Sequence, residues 1–183
     1  HAVTYQETLD CIARWIAAGG PHQIATVNPE FVMAAQADAR FRQVLNAADL
    51  CVPDGVGLLW AAQRLGQALP ERVTGSDLVP MLAAAAAPRG WRLFLLGAGP
   101  GVAQQTAALL TAAHPGLVVV DTHAGSPADA EAPQIIARVR AAQPDVLLVA
   151  YGAPAQDLWI ARHREALGVA VMMGVGGAFD HIA

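Results

Sequence analysis

The sequence predicts a three-layer α/β/α fold of Rossmann-like type, built on a mostly parallel sheet. Three observations lead there. Short apolar runs alternate with helical patterns at close spacing, which implies parallel strands joined through crossover helices. The apolar runs are continuous rather than alternating, as expected for strands covered on both faces. Five of the runs end in loops rich in Gly, Pro, Asn or Asp: Thr26-Val27-Asn28-Pro29, Pro53-Asp54-Gly55, Gly97-Ala98-Gly99-Pro100-Gly101, Gly152-Ala153-Pro154 and Gly174-Val175-Gly176-Gly177. Ligands bind at the carboxyl ends of strands in open parallel sheets, so these loops mark one crowded rim. At 183 residues the chain reads as a single domain, residues 1–183.

The elements follow in order. Thr4 and Glu7 form a capping box and open a helix whose Leu9, Ile12 and Ile16 share one face. Gly19-Gly20 stops it. A strand over 22–27 follows. Asn28 caps the next helix, with Pro29 in its first position and Glu30 at the positive end of the dipole. Asp38 caps another helix that runs to residue 46. A short strand over 50–52 leads into a helix over 55–65, ended by Gly66. Residues 67–75 are irregular and carry Glu71 and Arg72, and Ser76 caps a helix over 77–87. Beyond it lie strand 91–96, helix 100–113 with Pro100 in first position, strand 117–122, helix 130–142, strand 146–150, helix 155–167 and strand 169–173. Trp15, Trp60, Trp91 and Trp159 fall within these patterns and are expected in the core.

Composition narrows the function classes. Hydrophobic residues make up 55% and charged residues only 14%, which argues against disorder. The longest nearly apolar stretch, 78–87, is broken by Pro80 and too short to span a bilayer. No signal-peptide pattern opens the chain, and no basic amphipathic helix offers a membrane-surface anchor. The chain lacks an initiating Met and stops after a Gly-rich loop, so a piece of a longer protein is expected. Net charge is −4 with basic residues spread singly, which leaves no stripe for nucleic acid. All eleven basic residues are Arg. Without Lys, neither a Gly-Lys-Ser/Thr phosphate loop nor a Schiff base is possible. Ser76 and Ser126 lie outside any Gly-x-Ser-x-Gly elbow, which argues against serine hydrolysis. Cys11 and Cys51 sit far apart among apolar residues and are expected as buried thiols of a reducing compartment. The six His residues have no metal-ligand spacing, and Asp129-Ala130-Glu131 has an ordinary explanation at a helix start, so no metal site is expected.

Asp54 is the isolated carboxylate of the rim. Pro53 fixes the backbone beside it, Gly55 removes bulk, and a dry rim raises a carboxylate toward a useful base. Its structural alternative is the N-cap of the 55–65 helix. The loop at Gly97 resembles a dinucleotide fingerprint without its last Gly, with Asp121 where a ribose-binding acid would sit. Gly152, Gly176 and Gly177 expose backbone amides able to cradle an anion, or simply make turns. Arg72 and Asp77 flank Thr74-Gly75-Ser76, and Arg72 either reaches a phosphate or lies exposed.

Taken in order, a set of motifs resembles the WecG/TagA/CpsF glycosyltransferase family: Thr26-Val27-Asn28-Pro29-Glu30, Asn46-Ala47-Ala48-Asp49-Leu50, Pro53-Asp54-Gly55-Val56-Gly57, Glu71-Arg72-Val73-Thr74-Gly75-Ser76-Asp77, Phe94-Leu95-Leu96-Gly97, Gly152-Ala153-Pro154-x-Gln156 and Gly174-Val175-Gly176-Gly177-Ala178-Phe179-Asp180. The resemblance spans nearly the whole chain. It implies a bacterial, inverting transferase that uses a UDP-sugar as donor and no separate cofactor. The family's members move N-acetylmannosamine, its uronic acid or another hexose onto an undecaprenyl-diphosphate-linked sugar, feeding wall teichoic acid, enterobacterial common antigen or exopolysaccharide. The family lacks the Asp-x-Asp metal motif, which is also missing here.

By the same resemblance Asp54 is the base and Thr26 a second catalytic position. Asn28, Arg72, Gly97, Gly152, Gln156, Gly176, Gly177 and Asp180 are then substrate-binding, with Asp180 contacting the nucleotide. Two departures stand out. Members commonly carry a basic residue at Ala155 and a longer acid at Asp157. They also continue beyond Asp180 into a basic appendage that contacts the membrane and completes the site. A peripheral location at the cytoplasmic face of the plasma membrane is implied, with weak UDP binding and poor turnover for residues 1–183 alone.

Two other classes stay in view. One is an NAD-dependent oxidoreductase or epimerase using Gly97–Gly101 and Asp121, against which the missing Gly and the absent Tyr-x-x-x-Lys pair count. The other is a non-catalytic nucleotide-binding module. The donated sugar, the acceptor and the oligomeric state, a homo-oligomer included, are not fixed by the residues.

Overall fold

The computed structural model describes residues 1–183. Helix α1 (Tyr5–Ala18) leads to strand β1 (His22–Val27), helices α2 (Pro29–Ala37) and α3 (Ala39–Ala47), and strand β2 (Leu50–Pro53). Helices α4 (Val56–Arg64) and α5 (Gly75–Ala86) precede strand β3 (Arg92–Gly97), helix α6 (Val102–Ala113), strand β4 (Val118–His123) and helix α7 (Ala132–Ala142). Strand β5 (Val146–Ala150), helix α8 (Ala155–Leu167), strand β6 (Val171–Gly174) and a short helix α9 (Ala178–Ile182) complete the chain. The six strands form one sheet in the order β2-β1-β6-β5-β3-β4, and every pairing is parallel.

Successive strand residues point to opposite faces, and the two cores divide that way. Leu93, Leu95, Val146 and Leu148 pack with Ile12 of α1, Leu78 and Leu82 of α5, Leu110 of α6 and Phe179 of α9. Phe94, Leu96, Leu147 and Val149 pack with Ile135 and Val139 of α7 and with Trp159 and Ile160 of α8. On that second face Ala25 of β1 meets Phe31 of α2 and Phe41 of α3. The result is three layers, with α1, α5, α6 and α9 on one side and α2, α3, α7 and α8 on the other.

Local chemistry sets the boundaries. The Thr4/Glu7 capping box is complete, Asn28 Oδ1 accepts from Phe31 N at 3.0 Å, and Asp38 Oδ1 accepts from Arg40 N at 2.8 Å. Other expectations need correction. Helix α5 starts at Gly75, and its cap is Thr74, whose Oγ1 accepts from Asp77 N at 3.2 Å, not Ser76. Helix α6 starts at Val102, because Gly101 takes φ 85° and acts as the cap, so Pro100 lies outside the helix. Trp60 is 61% exposed, because α4 lies at the sheet edge and buries no residue, and Arg64 stacks on its indole at 4.9 Å. Trp15 is only half-buried and stacks on His22. Cys11 and Cys51 are free but half-buried rather than fully buried. Strand β4 is partly solvated along its length, as an edge strand, not a doubly covered one. No helix is long and apolar enough to cross a membrane.

The first turn of α8 carries one costly group. Asp157 is fully buried against β1, where its backbone carbonyl accepts from Gln23 Nε2 at 3.1 Å, and neither carboxyl oxygen has a hydrogen-bond partner. Burial pushes this carboxyl from its ordinary 3.8 up to about 7. A group that holds its proton more tightly when folded stabilises fully below its unfolded pKa and loses that contribution as pH rises through the folded one. The loss therefore falls between about pH 4 and about pH 7 and is on the order of 4 kcal/mol. Asp157→Asn, isosteric with the protonated acid, is expected to melt with the parent at about pH 3 and well above it at about pH 8. Equal melting temperatures at both values would contradict the assignment.

Candidate active site

All six strands are parallel, so their carboxyl ends share one edge of the molecule. Read across the sheet, that edge presents Pro53-Asp54 from β2, Thr26-Val27-Asn28 from β1, the turn at Gly174 from β6, Gly152 from β5 and Gly97 from β3. At about 4.8 Å per strand, the four gaps from β2 to β3 cover roughly 19 Å. An extended ligand laid along the rim meets every one of these loops.

Asp54 is fixed by its neighbours rather than by its own helix. Its backbone N–H donates to Val27 O at 2.7 Å, and its Oδ2 accepts from Gly75 N, the first amide of α5, at 3.1 Å. The alternative role as cap of α4 is not taken: Gly55 holds the cap position at φ 141°, with no side-chain bond. At that φ a side chain is strained, and a Cβ would also stand 3.1 Å from Pro29. Oδ1 of Asp54 has no bond within the protein, so one oxygen anchors and the other is free. Burial pushes the carboxyl above the usual range, the Gly75 amide and nearby Arg72 pull it back, and Asp77 pushes it up again.

The remaining sequence-predicted residues divide by what they touch. Arg72 is about half exposed, with Nη2 4.0 Å from Asp77 Oδ2, too long and too solvated to hold it. Asn28 spends its carbonyl on the α2 cap and keeps its amide nitrogen free of protein partners. Thr26 is buried and donates from Oγ1 to Gly174 O at 2.9 Å, tying the end of β1 to the end of β6. Gln156 is 1% exposed, and its Oε1 accepts from Gly176 N at 3.0 Å. Gly174 leaves the room for it, since a Cβ there would stand 2.7 Å from Gln156 Nε2. Thr26 and Gln156 thus shape the β6 turn from below. Gly177 caps α9, a short helix beyond the elements expected from the sequence, and Asp180 is exposed on its first turn.

At the middle of the rim Gly97 and Ala150 are pinched together. A Cβ on Gly97 would lie 2.6 Å from Ala150 O, at a φ of 104°. Here the connection from β3 runs outward to β4 while that from β5 runs the other way to β6, the topological switch point of the sheet. Gly152 stands at the end of β5 with open space around it.

Asp121, the acid that a dinucleotide reading requires, is already occupied. Arg138 donates to both its oxygens, at 2.6 and 2.9 Å, and holds its carboxyl below the usual range. That disfavours the oxidoreductase reading. Three residues around Asp54 were not legible as site residues: Tyr5, Thr74 as a cap, and the Gly75 amide. Only the Thr74-x-x-Asp77 spacing signalled one of them.

With this geometry in place, the comparisons with known proteins are decisive at the level of family. The family model described as Glycosyl transferase WecG/TagA/CpsF family matches residues 1–183, and the chain belongs to that family. It is 32% identical over 157 residues to a Bacillus spizizenii protein named N-acetylglucosaminyldiphosphoundecaprenol N-acetyl-beta-D-mannosaminyltransferase, covering 86% of this chain and 60% of the relative. A Staphylococcus aureus protein of the same name is 32% identical over 160 residues, covering 87% of this chain and 62% of the relative. The chain therefore spans about three fifths of the length of these relatives.

The β6 turn yields a direct test. Gln156→Ala leaves the Gly176 amide without its partner, which costs about 1–3 kcal/mol. The denaturant midpoint is expected to fall accordingly, and an unchanged midpoint would show that Gln156 does not hold the turn.

Proposed function

We propose that the chain is the catalytic core of an inverting, metal-independent glycosyltransferase. It moves a hexose, N-acetylmannosamine, its uronic acid or a related sugar, from a UDP-sugar to an undecaprenyl-diphosphate-linked sugar in cell-wall or surface-polysaccharide synthesis. The observation that carries this reading is the half-anchored Asp54 carboxylate, set beside Arg72 on a rim of backbone amides. The named activity of the relatives supports the substrate class.

In this reading the free Oδ1 of Asp54 takes the proton of the acceptor hydroxyl as that oxygen attacks the anomeric carbon. Oδ2 stays on the Gly75 amide, so the carboxylate does not rotate away. Such proton transfer contributes about 10²–10⁴-fold. Charge developing on the departing diphosphate meets Arg72 and the amides of Gly152 and Gly177, while the Gly176 amide stays on Gln156 and holds the turn in place. Thr26 acts here through its bond to Gly174, as a positioning residue. Gly97 and Gly152 leave space for the donor along the rim, and Asp180 faces its nucleotide end. A divalent cation is not required, because Arg and amide donors take the charge that a cation would neutralise. In this reading the protein works peripherally, at the cytoplasmic face of the membrane that carries its lipid-linked acceptor.

The test uses the full-length protein, a panel of UDP-sugars and a prenyl-diphosphate-linked acceptor. Transfer is expected with inversion at the anomeric carbon and without sensitivity to a chelator. Asp54→Asn is expected to lower kcat by about 10²–10⁴-fold while the fold and UDP binding persist. The acid limb of the rate profile is expected above that of an ordinary aspartate, since the base works only when ionised and burial raises its pKa. Turnover by Asp54→Asn within about threefold of the parent would overturn the assignment.

A further inference from the structure

We propose that Tyr5, on the first turn of α1, is a positioning residue for the Asp54 carboxylate, acting through the Thr74-Gly75 turn. The inference deepens the reading of Asp54 as base and rests on it for its effect on turnover. Three consecutive amides approach the end of β2. Val73 N donates to Pro53 O at 2.8 Å, Thr74 N to the Tyr5 hydroxyl at 2.9 Å, and Gly75 N to Asp54 Oδ2 at 3.1 Å. Tyr5 supplies the middle acceptor of this ladder. Thr74 is only 6% exposed, so water is a poor substitute.

The Tyr5 hydroxyl is itself held in place. It donates to Asp77 Oδ2 at 3.1 Å and lies 3.3 Å from Thr74 Oγ1, which in turn donates to Asp77 Oδ2 at 2.7 Å. At its other end, the Tyr5 backbone N–H donates to Glu71 Oε2 at 2.9 Å. One residue of α1 therefore grips the segment before α5 at residue 71 and again at residue 74. Its ring packs against the core on the α1 and α5 side, which removes slack from the grip.

Removing the hydroxyl leaves Thr74 N–H buried and unpaired, and such a group moves to find a partner. The next amide in the chain is Gly75 N, the one bond that orients Asp54. That bond favours the ionised carboxylate. The charged groups whose fields reach Asp54 are Arg72, from the segment before α5, and Asp77, from α5 itself. Tyr5→Phe leaves Arg72 in place but also removes the hydroxyl's bond to Asp77 Oδ2, so Asp77→Asn is run alone and combined with Tyr5→Phe, and an effect carried by the amide persists in the Asp77→Asn background.

The experiment titrates the Asp54 carboxyl by carbon NMR in the full-length protein, in the parent and in Tyr5→Phe. Tyr5→Leu, which also lacks the hydroxyl but keeps an apolar side chain there, is run alongside. An upward move of about half to one pH unit is expected in both variants. The acid limb of kcat is expected to move with it, with kcat down about tenfold and donor KM nearly unchanged. On an Asp54→Asn background, Tyr5→Phe is expected to cost nothing further. A merely structural tyrosine would lower the melting temperature and leave both the titration and the acid limb in place, and that result overturns the proposal. Absence of transfer by the parent would sink the transferase reading alone, because the carboxyl titration needs no turnover.

Discussion

The first amides of a helix have no partner inside it, and something outside must accept from them. At the start of α5 the acceptors come from three separate places in the fold. Thr74 Oγ1 takes Asp77 N, Asp54 takes Gly75 N, and the Tyr5 hydroxyl takes Thr74 N just upstream. This single helix terminus joins α1, the end of β2 and α5. Strand β2 is a four-residue edge strand with a neighbour on one side only. Its far end is held by these bonds, and the direction of the Asp54 carboxylate depends on them.

Electrostatics at Asp54 balances opposing effects of similar kind. Burial favours the neutral acid, and the helix-start amide and Arg72 favour the charge. Proton abstraction needs a carboxylate that is ionised yet still basic. Full burial shuts Asp157 away from any substrate, and a bidentate arginine partner such as Arg138 makes Asp121 too weak a base. Among these three aspartates Asp54 alone is both reachable and raised above the usual carboxylate range. The rest of the rim is stiff by construction, because Thr26 and Gln156 bond the β6 turn from beneath.

Much of the fold was readable because its causes are short-ranged. Apolar runs, the Thr4/Glu7 box and the caps at Asn28 and Asp38 act over three or four residues, and those elements lie where expected. The misreadings have physical causes too. Ser76 and Thr74 are both competent caps, but the helix already begins at Gly75, so Ser76 lies inside it and Thr74 Oγ1 takes Asp77 N. Pro100 looked like a helix start, but Gly101 turns left-handed after it. Trp60 sits at helical spacing on a helix that packs against an edge and has no buried face. The site residues were legible by type and by place on the rim. Their pairing was not, since Thr26 reaches Gly174 across 148 residues and Tyr5 reaches Thr74 across 69. No local pattern encodes such bonds.

The most direct measurement of the central claim is amide NMR of the full-length protein titrated with UDP. If the carboxyl-end rim is the donor site, the amides of Gly75, Gly152, Gly176 and Gly177 shift together with a common dissociation constant, and those around Asp145 and Gly168 at the opposite end stay still. Saturable shifts confined to that opposite end, or to the Asp121 and Arg138 pair, would contradict the account.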